Sequence, residues 1–441
     1  AWQSLPNKPA CPQPDSDFFR FPSAVGTLSP MHLKSIYLKN FRGFEEFEME
    51  LHPEVTLLVG ENGAGKTTLF DALRMALSHF TQAFGTTQIG AEQPAESDGR
   101  VVAIQSGTTV TLEAAGPVTL RTISSADAEK SMENGHFGFW LASVLKDSLS
   151  SDPQVELPLV VAYPATLSWA ARPADSLRGL SRLEGYRHWQ DPPASQTEVL
   201  RWIRQAQYTE LQEAEAEPRL AALLGSIKSC VEGCDDVAFN VRADTLRFRI
   251  NGETVLFPHL SAGYRRIIAM AADLAWRCVT LNPQHGGDAP ALTAGVVLID
   301  ELELLLHPRW QWQILPSLRK TFPNVQFIAT THAPAIIATA KPEWIRVLRA
   351  GQSKPDSVVH SDGMDVNAVL ESVMGVPAMS GEISQLVERC ARALHDGDIA
   401  AASTLLADAR QRYGGANPIF VELEWELADL KANGAQDSPA G

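Results

Sequence analysis

Gly60-Glu61-Asn62-Gly63-Ala64-Gly65-Lys66-Thr67-Thr68 has the spacing G-x-x-x-x-G-K-T, and its flanks decide its meaning. The apolar run Val55-Thr56-Leu57-Leu58-Val59 before it predicts a buried strand, and Thr68 to Leu77 after it has the apolar spacing of a helix. Strand, glycine-rich turn and helix in that order make a phosphate-binding loop. The glycines let successive backbone N–H groups turn toward phosphate oxygens, and the helix aims its positive end at them. Lys66 neutralises the outer phosphates and Thr67 is placed to hold Mg²⁺. Gly60, Asn62, Gly63, Gly65, Lys66, Thr67 and Thr68 are the first candidate contacts for a nucleotide triphosphate.

Working outward, Gly295-Val296-Val297-Leu298-Ile299-Asp300-Glu301 is an apolar, parallel-type strand ending in two carboxylates. Beside a phosphate loop this supplies the other half of a hydrolytic site. Asp300 holds Mg²⁺ together with Thr67, and Glu301 orients the attacking water. Phe327-Ile328-Ala329-Thr330-Thr331-His332 is a further strand tip, with its imidazole at the carboxyl end where ligands gather on open α/β sheets. Leu260-Ser261-Ala262-Gly263-Tyr264-Arg265-Arg266 opens a helix expected to run to about Leu281, with Ser261 as its N-cap. A hydroxyl, a glycine allowing close approach and two arginines at a helix start read as an anion receptor.

The chain has 441 residues, 45% of them hydrophobic, enough for two or three domains with real cores. No apolar stretch approaches a membrane span and no secretory signal is present, so a cytoplasmic location is expected. A net charge of −15 argues against coating nucleic acid through the overall field, so any DNA contact is local or made through a complex. Five cysteines make no disulfide framework, and Cys230 and Cys234 lack the second pair that structural zinc needs; both read as ordinary helix cysteines.

Residues 1–30 are rich in Pro, Ser and Asp and read as a disordered leader. Strands are expected at His32–Leu38, around Phe47 to Leu51, Val101–Ile104, Thr109–Glu113, Val118–Ile123 and Pro158–Tyr163, with a polar loop at 81–99 and a helix at Phe137–Leu149. Residues 196–233 are helical in pattern, interrupted at Pro218 and Gly225. Leu246 to Leu256 forms a hairpin, since Asn251-Gly252 supplies the two positive φ values of a type I′ turn. Helices are expected at Val366–Met374, Gly381–His395, Ile399–Tyr413 and Ile419–Lys431. Leu386, Val387, Leu394, Leu405 and Leu406 lie at helical spacings that suit either a docked partner or a packed cap.

The order of the four segments resembles the ABC-type ATPases of the AAA family, and more closely their SMC/RecF-like branch. Gly60 to Thr68 matches Walker A, Leu260 to Gly263 the signature L-S-x-G, Val296 to Glu301 Walker B, and Thr331-His332 the switch histidine. Asn40-Phe41-Arg42-Gly43 looks like the start of RecF-like heads and makes Arg42 a candidate nucleotide contact. The resemblance covers roughly residues 31–350. It implies an α/β fold: an ABC-type head with a P-loop sheet, an antiparallel β subdomain and a helical lobe at about 130–235, followed by a C-terminal helical region over 351–441. It further implies an ATPase with ATP and Mg²⁺ as ligands and Lys66, Glu301 and His332 as catalytic groups. ATP would be sandwiched in a dimer, with Ser261 and Gly263 of one copy on the γ-phosphate held by the other.

Ala272-Asp273-Leu274-Ala275-Trp276-Arg277 leading to Leu281-Asn282-Pro283, then Leu305 to Gln311 and Thr331-His332-Ala333-Pro334, are similar to bacterial anti-phage ATPases of the Septu type, including those tied to retrons. Asp365 to Leu370 and Met374-Gly375-Val376 are similar too. The resemblance implies a sensor or regulator of a partner HNH nuclease. A RecF-like clamp on DNA is the alternative, and the ATPase subunit of a membrane transporter ranks last. The glutamine that links nucleotide state to lobe motion in the class has no clear counterpart; Gln105 is its candidate. Tyr264 replaces a small or polar residue, and the usual D-loop wording is missing after Glu301.

Overall fold

The computed structural model describes residues 31–82, 108–114, 119–124, 148–150, 152–165, 181–190, 200–208, 218–357, 360–361, 363–375, 381–414 and 418–436. The expected leader, the 83–99 stretch, the Val101–Ile104 strand, Gln105 and most of the Phe137–Leu149 helix lie outside them.

Three sheets are formed among the described residues. The first, antiparallel, has the order β2-β1-β4-β5, from β1 (Leu33–Phe41), β2 (Phe44–Glu50), β4 (Thr108–Ala114) and β5 (Thr119–Ser124). In β2 the buried Phe47 and Met49 alternate with exposed Glu48 and Glu50, the period of a half-buried strand. The second sheet has the order β13-β12-β3-β11-β10-β6, from β3 (Val55–Gly60), β6 (Leu159–Tyr163), β10 (Gly295–Ile299), β11 (Val325–Thr331), β12 (Ile345–Leu348) and β13 (Asp356–Ser357). The pairs β12–β3, β3–β11, β11–β10 and β10–β6 are parallel. Every residue of β3, β6, β10 and β11 is buried, which is why these strands read as unbroken apolar runs.

Helix α1 (Lys66–Gln82) lies against this sheet and against β4 and β5, burying Leu69, Phe70, Leu73, Ala76, Leu77 and Phe80. Helix α2 (Pro218–Cys230) packs on α3 (Ala262–Leu281) and on α4 (Ile314–Thr321). The described helix begins at Pro218, a first-turn position where its missing N–H costs nothing, and accommodates Gly225; residues 209–217 lie outside the described residues. Cys230 closes α2, whereas Cys234 opens strand β7 (Cys234–Asn240) and is not a helix residue. Burial pushes the Cys230 thiol up to about 11 and the Cys278 thiol up to about 12, so neither ionises near neutral pH.

The third sheet, β7-β8-β9, adds β8 (Thr245–Ile250) and β9 (Glu253–Leu256), joined by the expected turn with φ of 51° at Asn251 and 83° at Gly252. The main core runs past residue 350 to Val369 and Val373, on and just after helix α5 (Val366–Ser372). Helices α6 (Gly381–His395), α7 (Ile399–Tyr413) and α8 (Pro418–Gln436) pack on one another around a second core that includes Leu386, Cys390, Leu394, Leu406 and Phe420. No helix among the described residues is long and apolar enough to cross a membrane.

Candidate functional site

The carboxyl ends of β3, β11 and β10 stand side by side, so the Lys66 loop, His332 and the Asp300–Glu301 pair share one edge. At the usual strand spacing, β3 and β10 are about 10 Å apart across the intervening strand, a gap on the scale of a polyphosphate chain.

From β3 the chain turns through residues 61–65 and enters α1 at Lys66. A Cβ on Gly65 would lie 2.4 Å from Cζ of Phe44, so only glycine lets the loop rest on this ring, and its φ of 97° is also one that glycine adopts freely. Asn62, Gly63 and Thr67 are exposed around the loop, while Lys66 is buried. The Lys66 ammonium donates to the carbonyls of Gly60 and Glu61, both at 2.8 Å. Burial lowers its pKa, opposed by the carboxylates of Glu303, Asp300 and Glu301.

Asp300 is buried, and its Oδ1 accepts a 2.6 Å hydrogen bond from the Thr330 hydroxyl. Burial raises its pKa, and the Thr330 bond is the largest opposing influence. The same Thr330 oxygen accepts the Glu301 backbone N–H at 2.8 Å. Glu301 sits in the left-handed region, φ 49°, a conformation kept only where neighbours over-determine it. Arg266 is that neighbour on the other side, with Nη2 donating to the carbonyls of Glu301 at 3.1 Å and Asp300 at 3.4 Å. Glu303 reaches across to β11: its carboxylate accepts the Thr331 hydroxyl at 2.8 Å and the His332 N–H at 2.6 Å. Burial, with Lys66 nearby, lowers the His332 pKa below 6.5, which makes the imidazole predominantly neutral at pH 7.

Ser261 occupies the N-cap position of α3, but its hydroxyl makes no capping bond and stays exposed. The two arginines beside it part company: Arg265 is exposed, whereas Arg266 is buried behind the Asp300–Glu301 turn and is not part of an anion receptor at the surface. Gly263 is buried as well. A Cβ there would stand 2.5 Å from the Leu305 carbonyl oxygen and 2.9 Å from the Trp310 ring, so its close approach is to the chain's own 301–310 segment. Ser261, Gly263, Tyr264, Leu305, His307 and Trp310 line an open pocket of about 790 Å³ whose lining includes no residue of the Gly60–Thr68 loop. Among the described residues, therefore, the Ser261 pocket and the Lys66 loop share no lining residue.

Arg42, also left-handed at φ 52°, pairs with Asp71 of α1 at 2.6 Å. The segment that meets Asp300 at the sheet edge is the end of β6: the Tyr163 carbonyl accepts the Asp300 N–H at 2.8 Å, and the Ala165 N–H donates to Asp300. It carries Tyr163-Pro164-Ala165 and no glutamine. Sequence reasoning missed Thr330, Glu303 and Arg266. The signals for them were a second acid two residues after Glu301, a threonine pair before His332, and the 100° step that takes Arg266 off the Ser261 face of α3.

An AAA domain model matches residues 35–134, and a second, described as AAA domain, putative AbiEii toxin, Type IV TA system, matches residues 211–338. The Escherichia coli Retron Ec83 probable ATPase is 25% identical over 492 aligned positions, spanning 93% of this chain and 90% of that protein. Septu protein PtuA of Bacillus mycoides is 48% identical over 135 residues, covering 30% of this chain and 18% of that protein. The DNA replication and repair protein RecF of Listeria welshimeri is 43% identical over 88 residues, 19% of this chain and 23% of that protein. AAA domain models match the two stretches that carry the two halves of the site, and the chain is an AAA-type ATPase similar to the retron, Septu and RecF proteins.

Proposed function

We propose that two copies of the chain close around ATP and Mg²⁺, and that the assembly acts as the sensor or regulator of a bacterial anti-phage defence complex. One observation carries the two-copy reading: Ser261, with an uncapped hydroxyl, lines an open pocket that excludes the phosphate loop of its own chain. A second copy brings a Lys66 loop to that pocket. The defence setting rests on the relation to a retron ATPase along nearly the whole chain and to Septu PtuA over part of it. It carries with it a cytoplasmic location, where ATP is supplied. A partner HNH nuclease, docked through α6–α8, is the output that the Septu-type resemblance implies.

The residues suit the chemistry. Lys66 exchanges its two carbonyl partners for the outer phosphates. The Thr67 hydroxyl and Asp300 carboxylate are hard oxygen donors of the kind that would hold Mg²⁺. When bound there, the cation would supply charge neutralisation to the phosphates. Glu301, its backbone locked by Thr330 and Arg266, orients a water in line with the γ-phosphorus and takes its proton as the P–O bond to ADP breaks. Neutral His332 donates an N–H to the γ-phosphate. Asn62, Gly63, Gly65 and Thr68 present the loop to the phosphates. Arg42 reaches the nucleotide only by leaving Asp71.

Glu301→Gln tests this directly. The variant is expected to bind ATP but hydrolyse it at least about a hundredfold more slowly, so that ATP-dependent dimers accumulate in light scattering after size exclusion. Monomers throughout, at saturating ATP and slowed turnover, reject the two-copy site.

A further inference from the structure

The start of α3 touches the 301–307 turn at two points. Gly263 lies against the Leu305 carbonyl, and Arg266 holds the carbonyls of Asp300 and Glu301. Both contacted residues, Glu301 at φ 49° and Leu305 at φ 65°, are left-handed non-glycines, so the turn is held in a shape it would not choose alone. Further along, the helix is pinned: Asp273 Oδ2 accepts the Tyr163 hydroxyl at 2.6 Å and Arg277 Nε at 2.8 Å, all three side chains buried. A push at Ser261 is therefore confined to the first turns of the helix and is delivered to the 301–307 turn.

Arg266 has capacity to respond. Its Nη1 is buried with no hydrogen-bond partner among the described residues, and the charges facing it are the carboxylates of Glu301, Glu303 and Asp300. A buried guanidinium with one hand on the backbone of Glu301 and the other unused has a second bonding arrangement available to it.

We propose that Arg266 is a positioning residue that relays engagement of Ser261 by the other copy's triphosphate to Glu301 of its own chain, so that each active site is set by the occupancy of the other. The proposal rests on the two-copy reading above. It predicts turnover that is cooperative in ATP, through a route that uses no glutamine loop.

The experiment is a cycle of Ser261→Ala, Arg266→Lys and the double variant, with Arg266→Gln as a second probe should lysine disturb folding, which melting curves report. Steady-state turnover is measured against ATP. Arg266→Lys is expected to lower kcat about tenfold with KM little changed, and to bring the Hill coefficient to one while ATP-dependent dimers persist. The double variant is expected to be no slower than the slower single variant, since both act on one relay. Losses that multiply, a wild-type kcat in the Arg266 variants, or retained cooperativity overturn the relay. If light scattering shows no ATP-dependent dimer even in Glu301→Gln, the two-copy reading has failed and takes the relay with it. Dimers with multiplying losses mean that the relay alone is wrong.

Discussion

One hydroxyl, Thr330 Oγ1, serves both members of the acidic pair, donating to Asp300 and accepting from the Glu301 N–H. Thr330→Val keeps the shape of the side chain and removes both bonds, leaving a buried carboxylate oxygen short of a donor. The expected cost is about 1–3 kcal/mol of stability in a thermal melt, with a fall in turnover of about tenfold or more as Glu301 loosens. Unchanged turnover would show that the turn is held without Thr330. The sequence exposed Lys66, Asp300, Glu301 and His332 because each stands at a fixed offset from a strand end. Thr330 gave no such sign, since its partners lie 30 and 29 residues away in sequence and the bond exists only once β10 and β11 are adjacent. Arg266 was misread for a different reason. Proximity to Ser261 along the chain is not proximity in space, because one step around a helix separates an exposed arginine from a buried one.

At the scale of elements, α3 is the piece that joins the pocket surface to the sheet, and Gly263 is where it makes its closest approach. Replacing an exposed glycine in a helix by alanine ordinarily gains about 1 kcal/mol. Here the sign reverses: the new Cβ would press on the Leu305 carbonyl, which is backbone and cannot swing aside. Gly263→Ala is expected to lose about 1–3 kcal/mol in denaturant titration, as overpacked sites do, and a gain would show that the 301–310 segment yields easily. Element positions were largely legible. The buried strands declare themselves as apolar runs, the Asn251-Gly252 hairpin by its turn chemistry, and the tail helices by apolar spacing. Pro218 was legible only in part, because a proline marks either the break of a helix or its first residue and the sequence alone does not separate the two.

For the whole molecule, the division of the interior matters most. The main core ends with Val373 after α5, and the three tail helices are built on a second core of their own. Leu406→Ala is expected to cost that second core about 2–5 kcal/mol, lowering a separate transition in calorimetry while ATP turnover stays at the wild-type value. A single transition that shifts as a whole would show the two cores to be coupled. The order of strands in the large sheet has a further consequence. β11 lies between β3 and β10 although it follows both in the chain, and its partner β3 precedes it by about 270 residues. While the polypeptide is still emerging from the ribosome, the first and second strands of the site have no neighbour to bring them together. Synthesis must pass Thr331 before β11 can set the Lys66 loop and the Asp300–Glu301 pair at one sheet edge.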